Sequence, residues 1–376
     1  MGHVGAGTPG ARVSVRKPSL PLATPGCSPP RPPGPRAPMT AADPVTFCEQ
    51  ETGWGGGVAL GGGAAAMAGS AAAAGGRALR AAVAEAVARG EALALVGAPS
   101  AYCARLAERA GFRGVYLSGG GVALSSLGVP DLGVTTLADV LEDARRITRA
   151  CSVPLLVDAD TGFGPTALNI ARCVQDMEAA GVAGLHLEDQ ELAKRCGHRP
   201  NKRVVAVNEM GARIRAAVEA RRDPDFVIMA RTDAVASEGV AGAVERCRAY
   251  VDAGADAIFA EAVTDLRDYR TFADALPGVP LLANMTEFGK TPLYSRKELA
   301  AHGVSIALYP LSAFRAMSKA AAGVYATIAE TGSQNAAMAA LHTREETYEV
   351  IDYHKYERQV DAHNVAQSSS RDVQGA

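Results

Sequence analysis

The segment Gly184-Leu-His-Leu-Glu188, with Asp189 after it, decides the fold, because it is a short apolar run that ends in acidic residues. Short apolar runs bounded by turn residues are typical of buried β-strands. Other runs of this kind follow along the chain, separated by stretches of roughly 10 to 15 residues with helical periodicity. The eight predicted strands are 92–97, 114–118, 154–158, 184–188, 226–231, 257–261, 280–284 and 305–309.

The regular alternation of strands and helices predicts an α/β fold. Strands that are apolar along their whole length are typical of a parallel sheet covered by helices on both faces. Eight strand–helix units in about 280 residues match a closed (β/α)8 barrel of the TIM type. An open doubly wound sheet is the alternative, but its Gly-x-Gly-x-x-Gly fingerprint is missing from Ser118-Gly-Gly-Gly121.

Composition narrows the class of protein. The 376 residues are 48% hydrophobic with a net charge of -2, so the chain can bury a large core and has no basic field for nucleic acid. No apolar run approaches the roughly 20 residues that span a bilayer. The 7 cysteines are scattered without metal-type spacing, which favours a reducing compartment, with the cytoplasm as the default. Small polar ligands are the expected partners.

The two ends of the chain differ from its middle. Residues 1–76 are rich first in proline and then in glycine and alanine, compositions that form no packed core. We interpret them as a disordered extension, or as the result of an upstream start codon with the true start at Met39 or Met67. Residues 77–330 are the predicted barrel. Residues 331–376 are predicted to add C-terminal helices with a flexible end.

Polar residues follow six of the predicted strands. In such barrels the carboxyl ends of the strands share one rim, where the chemistry takes place. We therefore expect these polar groups to meet in one site, although each could singly be a surface charge or a cap. They are Ser118-Gly119-Gly120, Asp158-Ala159-Asp160, Glu188-Asp189, Arg231-Thr232-Asp233, Glu261 and Asn284-Met285-Thr286.

Asp158 and Asp160 predict a magnesium site. Side chains two positions apart in an extended chain point the same way, so the two carboxylates repel each other unless a cation lies between them. Mg²⁺ accepts one or two carboxylates and keeps exchangeable water, and no His/Cys cluster of the zinc type is nearby. A salt-bridged structural role is the alternative. Arg231 can bind a carboxylate through two hydrogen bonds, so the predicted substrate is an oxygen-rich anion.

The segment Lys194-Arg-Cys-Gly-His-Arg-Pro-Asn-Lys202 sets a thiol among cations. Gly197 and Pro200 disfavour regular structure, so we interpret it as a mobile loop that carries an acid/base cysteine, Cys196. We expect Lys194, Arg195 and His198 to lower the pKa of the thiol. A solvated basic loop with an incidental cysteine is the alternative.

Five motifs identify a family. Residues from about 88 to 360 resemble the isocitrate lyase/phosphoenolpyruvate mutase superfamily and, within it, the 2-methylisocitrate lyases. This resemblance implies Mg²⁺-dependent cleavage of a tricarboxylate, 2-methylisocitrate, to pyruvate and succinate in the methylcitrate cycle of propionate catabolism. It also implies a homotetramer of barrels that exchange C-terminal helices. The motifs are Tyr116-Leu-Ser-Gly-Gly-Gly121, Leu156-Val-Asp-Ala-Asp160, Lys194 to Lys202, Ile228-Met-Ala-Arg-Thr-Asp233 and Leu308-Tyr-Pro-Leu-Ser-Ala-Phe-Arg315.

The resemblance also implies residue roles. Asp158 and Asp160 would hold magnesium, Tyr116 would remove the hydroxyl proton, and Cys196 would protonate the departing succinate. His186 and Glu188 would orient these groups, although a core role is an equal alternative for His186. Arg231 is expected to be catalytic as well. The residues expected to bind substrate are Ser118, Gly119, Gly120, Gly197, Glu261, Asn284, Met285, Thr286, Arg315 and Arg344, with Phe259, Leu308 and Pro310 around the extra methyl group.

Three other functions remain open at this point. Isocitrate lyases are typically longer, with a large insertion that this chain lacks. A phosphonate-forming mutase or a carbon–phosphorus hydrolase of the superfamily would lack the Lys-Arg-Cys-Gly-His segment. A non-catalytic protein that binds small acids would bind ligand tightly without turnover.

Overall fold

Eight parallel strands close into a barrel in sequence order, with β8 paired to β1. The structure, a computed structural model, describes residues 75–199 and 201–374. The predicted α/β barrel is confirmed, and a strand lies at each of the eight predicted positions. The strands are β1 Leu93–Gly97, β2 Val115–Leu117, β3 Leu155–Asp158, β4 Gly184–Glu188, β5 Val227–Thr232, β6 Ala257–Ala260, β7 Leu281–Asn284 and β8 Ile306–Tyr309.

Helices follow the strands around the barrel. α4, α5, α9 and α11 each begin with a capping box, in which the side chains of the N-cap residue and of the third helical residue bond each other's backbone N–H. The helices are α1 Gly75–Ala88, α2 Ala101–Arg109, α3 Gly119–Val122 with a π-helical turn Ala123–Leu127 after it, α4 Leu137–Ala150, α5 Ala167–Ala179, α6 Val207–Ala220, α7 Val235–Asp252, α8 Leu266–Ala275, α9 Arg296–Ala301, α10 Ser312–Thr331, α11 Arg344–Val350 and α12 Tyr353–Gln374.

Successive residues of each strand point alternately into the barrel interior and toward the surrounding helices, and both regions are apolar. In β2, for example, Tyr116 packs in the barrel interior, while Val115 and Leu117 pack between the strands and the surrounding helices. α1 closes the amino-terminal end of the interior with Leu79 and Val83. The carboxyl-terminal end stays open and carries the polar residues predicted from the sequence.

Some sequence expectations fall outside the described residues. These are the predicted extension as far as residue 74, the alternative starts Met39 and Met67, Pro200 of the cysteine loop, and residues 375–376. α1 begins at Gly75, two residues before the predicted boundary of the barrel domain. A Cβ atom on Gly76 would lie 2.2 Å from the Asp225 carbonyl oxygen, so α1 is in close contact with the barrel from its second residue.

Truncation at the start of α1 should leave the barrel intact. We expect a chain that begins at Gly75 to keep the unfolding free energy of the full chain, since α1 and its contacts are retained. A chain that begins at Gly90 lacks α1 and should be several kcal/mol less stable, because full burial of one side chain such as Leu79 is worth about 1.5–3 kcal/mol. Urea unfolding followed by circular dichroism compares the two. A Gly75 chain that does not fold would contradict this expectation.

The C-terminal helices contact the barrel at few places. α11 lies against α2, where Arg105 donates to the Val350 carbonyl at 2.7 Å and Arg109 to the Glu349 carbonyl at 2.8 Å. α10 is 20 residues long and has no buried residue. None of the helices in the described part of the chain combines the length and the apolar character needed to cross a membrane.

Candidate active site

A cavity of about 550 Å³, counted with its open mouth, lies at the carboxyl ends of the strands. It brings together most of the residues predicted to form the site. Those that line it are Tyr116, Ser118, Gly120, Asp158, Glu188, Cys196, Gly197, Arg231, Phe259, Glu261, Asn284, Thr286, Leu308 and Pro310.

Asp158 and Asp160 converge at the floor of this site. Asp158 accepts hydrogen bonds from the backbone N–H groups of Gly119 and Asp160, both at 3.1 Å. A Cβ atom on Gly119 would lie 3.2 Å from an oxygen of each carboxylate, so only glycine leaves the space beside the pair free. Burial and the charge of Asp158 raise the pKa of Asp160 to about 7. Nearby positive charge outweighs burial and lowers the pKa of Asp158 to about 2.

Lys194 lies beside this pair. Its Nζ is 2.6 Å from Asp160 Oδ1 and 2.6 Å from Asp131 Oδ1, and its side chain is buried. Asp131 also lines the cavity and is not among the residues predicted from the sequence. It lies in the segment between α3 and α4 and follows no strand, so the rule that located the other acids could not find it.

Two buried side-chain oxygen atoms are free to contact a ligand. Glu188 Oε1 and Asn284 Oδ1 are buried and accept no hydrogen bond from any described residue. Among residues 75–199 and 201–374 there is no group of three or more His, Cys, Asp or Glu side chains that could hold a metal ion. Two carboxylates completed by water and substrate oxygens are the ligand set typical of Mg²⁺. The buried Asp158–Asp160 pair and the space beside Gly119 fit such an ion.

Three carboxylates hold the guanidinium of Arg231. Its Nε is 2.9 Å from Asp233 Oδ2 and 3.3 Å from Glu188 Oε2, and its NH2 is 3.1 Å from Glu261 Oε2. The ring of Phe259 lies 4.9 Å below the guanidinium carbon. These contacts fix the position of the guanidinium, so it loses little side-chain entropy when it contacts a ligand.

Tyr116 lines the cavity and forms a buried pair with His186, which lies directly behind it. The Tyr116 hydroxyl is 2.9 Å from His186 Nε2, and the rings are stacked with centroids 5.8 Å apart. Burial raises the pKa of Tyr116 well above its usual value and lowers the pKa of His186 to about 4. Both side chains are therefore neutral near pH 7. The phenol of Tyr116 is not ionised in this arrangement, so the predicted role of Tyr116 as the base stays a prediction.

The cysteine loop reaches over the cavity mouth. Cys196 is exposed on this loop, yet the surrounding protein withdraws its thiol from enough water to raise the thiol's pKa, and the carboxylates of Asp131 and Glu261 raise it further. The expectation that neighbouring cations lower this pKa is wrong, because Lys194 is paired with acids and His198 Nε2 lies 3.1 Å from Glu261 Oε1. The consequence is a thiol that stays protonated at neutral pH, which suits a proton donor.

The path of the cysteine loop brings further residues to the cavity. A Cβ atom on Gly197 would lie 2.4 Å from Arg231 NH2, so the loop approaches the barrel more closely than any side chain would allow. Lys194, Arg195 and His198 were expected only to surround the thiol with positive charge. All three also line the cavity, and so does Leu311.

Some predicted residues lie away from the cavity. Met285 is buried in the layer between strands and helices, because it follows the inward-facing Asn284. Arg315 is half-exposed, with its Nε 3.4 Å from Glu287 Oε2. Arg344 is exposed at the start of α11. Gly119, Asp160 and His186 lie directly behind residues that line the cavity.

Comparison with known proteins identifies the family. A family model described as phosphoenolpyruvate phosphomutase matches residues 81–329. The chain is 58% identical to 2-methylisocitrate lyase from Escherichia coli over 276 residues, which are 73% of this chain and 93% of that protein. It is 45% identical to the enzyme of the same name from Bacillus subtilis over 265 residues, which are 70% of this chain and 86% of that protein.

Solved structures agree with this grouping. A 2,3-dimethylmalate lyase superposes with a TM-score of 0.70 and 34% identity over 77% of this chain and 95% of the other. A phosphonopyruvate hydrolase in complex with oxalate and Mg²⁺ superposes with a TM-score of 0.66 and 35% identity over 76% of this chain and 98% of the other. From the barrel, the grouped site and these relatives together, we conclude that the chain belongs to the isocitrate lyase/phosphoenolpyruvate mutase superfamily and, within it, to the 2-methylisocitrate lyases.

Proposed function

We propose that the protein cleaves 2-methylisocitrate to pyruvate and succinate with the help of bound Mg²⁺. The observation that carries this proposal is that Asp158 of a buried carboxylate pair, the paired guanidinium of Arg231, the Cys196 thiol and an apolar wall all line one cavity, with Asp160 directly behind Asp158. Relatives named 2-methylisocitrate lyase, 45–58% identical to the chain, support it. The place of this reaction in the methylcitrate cycle of propionate catabolism, in the cytoplasm, belongs to the same proposal.

Asp158 and Asp160 are the residues that would hold Mg²⁺. The phosphonopyruvate hydrolase solved with oxalate and Mg²⁺ supports a metal of this kind in the family. Held by these two carboxylates, the ion would supply the positive charge that lowers the pKa of a substrate hydroxyl.

The chain's own residues then supply binding and proton transfer. Arg231 binds a substrate carboxylate, and Ser118 with Gly120 contacts the end that becomes pyruvate. Tyr116 accepts the hydroxyl proton and, because its phenol is already protonated, passes its own proton to His186 Nε2, 2.9 Å from the phenol oxygen. His186 and Glu188 also orient Tyr116. As the carbon–carbon bond breaks, its electron pair moves to the succinate fragment, and Cys196 donates a proton to that carbon.

The apolar wall of the cavity supports a substrate with an extra methyl group. Phe259 and Leu308 are buried and, with Pro310, form a surface that suits the extra methyl group of 2-methylisocitrate. Burial of one methyl group is worth about 0.8 kcal/mol, and apolar pockets discriminate a single carbon by roughly 10- to 200-fold. The proposal therefore allows slower cleavage of isocitrate.

We expect the wild-type protein to release pyruvate from 2-methylisocitrate with a higher kcat/KM than that for glyoxylate release from isocitrate. Leu308→Phe should fill the space for the methyl group and lower kcat/KM for 2-methylisocitrate much more than for isocitrate. Leu168→Phe is the matched control, since Leu168 is 81% exposed on the barrel surface. A wild-type protein that prefers isocitrate would indicate an isocitrate lyase, and tight binding without turnover would indicate a binding protein.

We also propose that the protein is a homotetramer in which the C-terminal helices pass between subunits. α10 has no buried residue within one chain, yet it carries apolar side chains such as Met317, Tyr325 and Ile328. Exposed apolar surface of this kind is stabilised when another copy covers it. The substrate-binding role proposed for Arg315 and Arg344 belongs to this assembly, because one chain holds neither beside the cavity.

A further inference from the structure

The cysteine loop, from Lys194 to Lys202, is part of the connection between β4 and α6. Its two stems are joined by backbone hydrogen bonds, from Glu191 N–H to the Arg203 carbonyl at 3.1 Å and from Val205 N–H to the Asp189 carbonyl at 2.8 Å. Cys196 lies between these stems, so its position over the cavity depends on how the loop is fastened to the barrel.

Side chains fasten the first half of the loop. Buried Gln190 clamps the residue before the thiol, with its Nε2 donating to the Arg195 carbonyl at 2.9 Å and its Oε1 accepting from Arg195 N–H at 3.0 Å. Lys194 and His198 contact acids that line the cavity. These contacts belong to the site already described.

The second half is fastened by a pair outside the cavity lining. Lys202 Nζ is 2.6 Å from Asp233 Oδ1, and the side chains are 4% and 0% exposed. The same carboxylate receives the Arg231 Nε at 2.9 Å and its NH2 at 3.3 Å. The backbone N–H of Asp233 is itself fixed by Asp189 Oδ1 at 2.8 Å. One carboxylate therefore joins the end of the cysteine loop to the arginine that would bind substrate.

We propose that Lys202 and Asp233 are positioning residues for the lyase reaction, holding Cys196 over the cavity and orienting Arg231 at the same time. This inference rests on the proposed function for its kinetic consequence. Ion pairs buried to this degree hold a defined geometry, whereas exposed pairs exchange with water. A misplacement of about 1 Å at a reacting group can cost roughly 100-fold in rate.

The neighbouring residue provides a matched control. Arg203 pairs with Glu191 at 2.8 Å in the same loop, but its side chain is 76% exposed and that of Glu191 is 41% exposed. Removing the charge of Arg203 changes the net charge of the loop as much as removing that of Lys202. The change at Arg203 leaves the buried pair of Lys202 and Asp233 intact.

The test compares Lys202→Met and Arg203→Gln in the full chain with Mg²⁺. Lys202→Met keeps an unbranched side chain as far as the ε position and removes only the ammonium group. Asp233 stays paired with Arg231, so we expect the variant to fold. We expect kcat for 2-methylisocitrate to fall by roughly 10- to 100-fold with KM nearly unchanged. We also expect iodoacetamide to alkylate Cys196 several-fold faster, measured by mass spectrometry of its peptide, because a loosened loop takes this already exposed thiol away from the carboxylates and the protein surface that disfavour its thiolate. Arg203→Gln should match the wild type in both measurements.

Wild-type kcat and a wild-type alkylation rate in Lys202→Met would overturn the proposal, as would an equal loss in Arg203→Gln. The alkylation rate needs no substrate, so it tests the fastening even if the wild type shows no lyase activity. If Lys202→Met does not fold, Lys202→Gln carries the same test. Its side chain is one bond shorter and cannot reach Asp233 without moving the loop, so the same two changes are expected, and their absence would overturn the proposal.

Discussion

Replacing Cys196 with serine is expected to lower kcat by roughly 100- to 10,000-fold, the range by which general acids contribute. Serine keeps the shape of the side chain, but its hydroxyl is a far weaker acid than a thiol, so the succinate carbanion loses its proton donor. Contacts of Arg231 and the carboxylate pair with substrate do not involve the thiol. Calorimetric titration of the variant with 2-methylisocitrate and Mg²⁺ should therefore give nearly wild-type affinity.

The pH profile gives a second check on this role. Because the surrounding protein raises the pKa of Cys196, the thiol remains a donor through neutral pH and loses its proton only as pH rises through that raised value. The alkaline fall of kcat in the wild type should disappear in the serine variant. Cys151→Ser is the control, since Cys151 bonds the Ile147 carbonyl at the end of α4. An equal loss of binding and turnover in Cys196→Ser would assign the thiol to holding substrate.

Removal of the metal is expected to abolish turnover. EDTA should reduce activity to background, and added Mg²⁺ should restore it. Asp158→Asn, which removes one of the two charges that hold the ion, should lower kcat/KM by about 1,000-fold or more, the equivalent of roughly 4 kcal/mol of transition-state stabilisation. Equilibrium dialysis with Mn²⁺ as a probe measures the loss of metal binding independently of catalysis.

The control for this prediction is Asp176→Asn. Asp176 lies on α5 and pairs with Arg172 at 3.3 Å, away from the cavity. It should leave both metal binding and activity unchanged. Activity that survives exhaustive chelation would remove the metal from the mechanism and would assign Asp158 and Asp160 to a purely structural pairing with Lys194.

The sequence alone was sufficient for the barrel and for most of the cavity. Each strand is a short apolar run, and the helix after it returns the chain so that the next strand runs in the same direction. In a closed parallel barrel all carboxyl ends therefore lie at the same rim, and the polar residues that follow the strands meet there. This reasoning located Asp158, Glu188, Arg231, Glu261 and Asn284. It depends on local pattern and on the period of two along a strand, and both are written in the sequence.

Pairing and ionisation were decided by the tertiary structure. Lys194 meets Asp131, which is 63 positions away, and the backbone N–H of Lys290 meets His198 across 92 positions. Nothing in the local pattern near Cys196 shows that Lys194 and His198 are already paired with acids, so the pKa of the thiol shifts in the direction opposite to the expectation. Charge neutralisation and burial depend on which distant side chains share a low-dielectric space, and only the folded chain brings those side chains together.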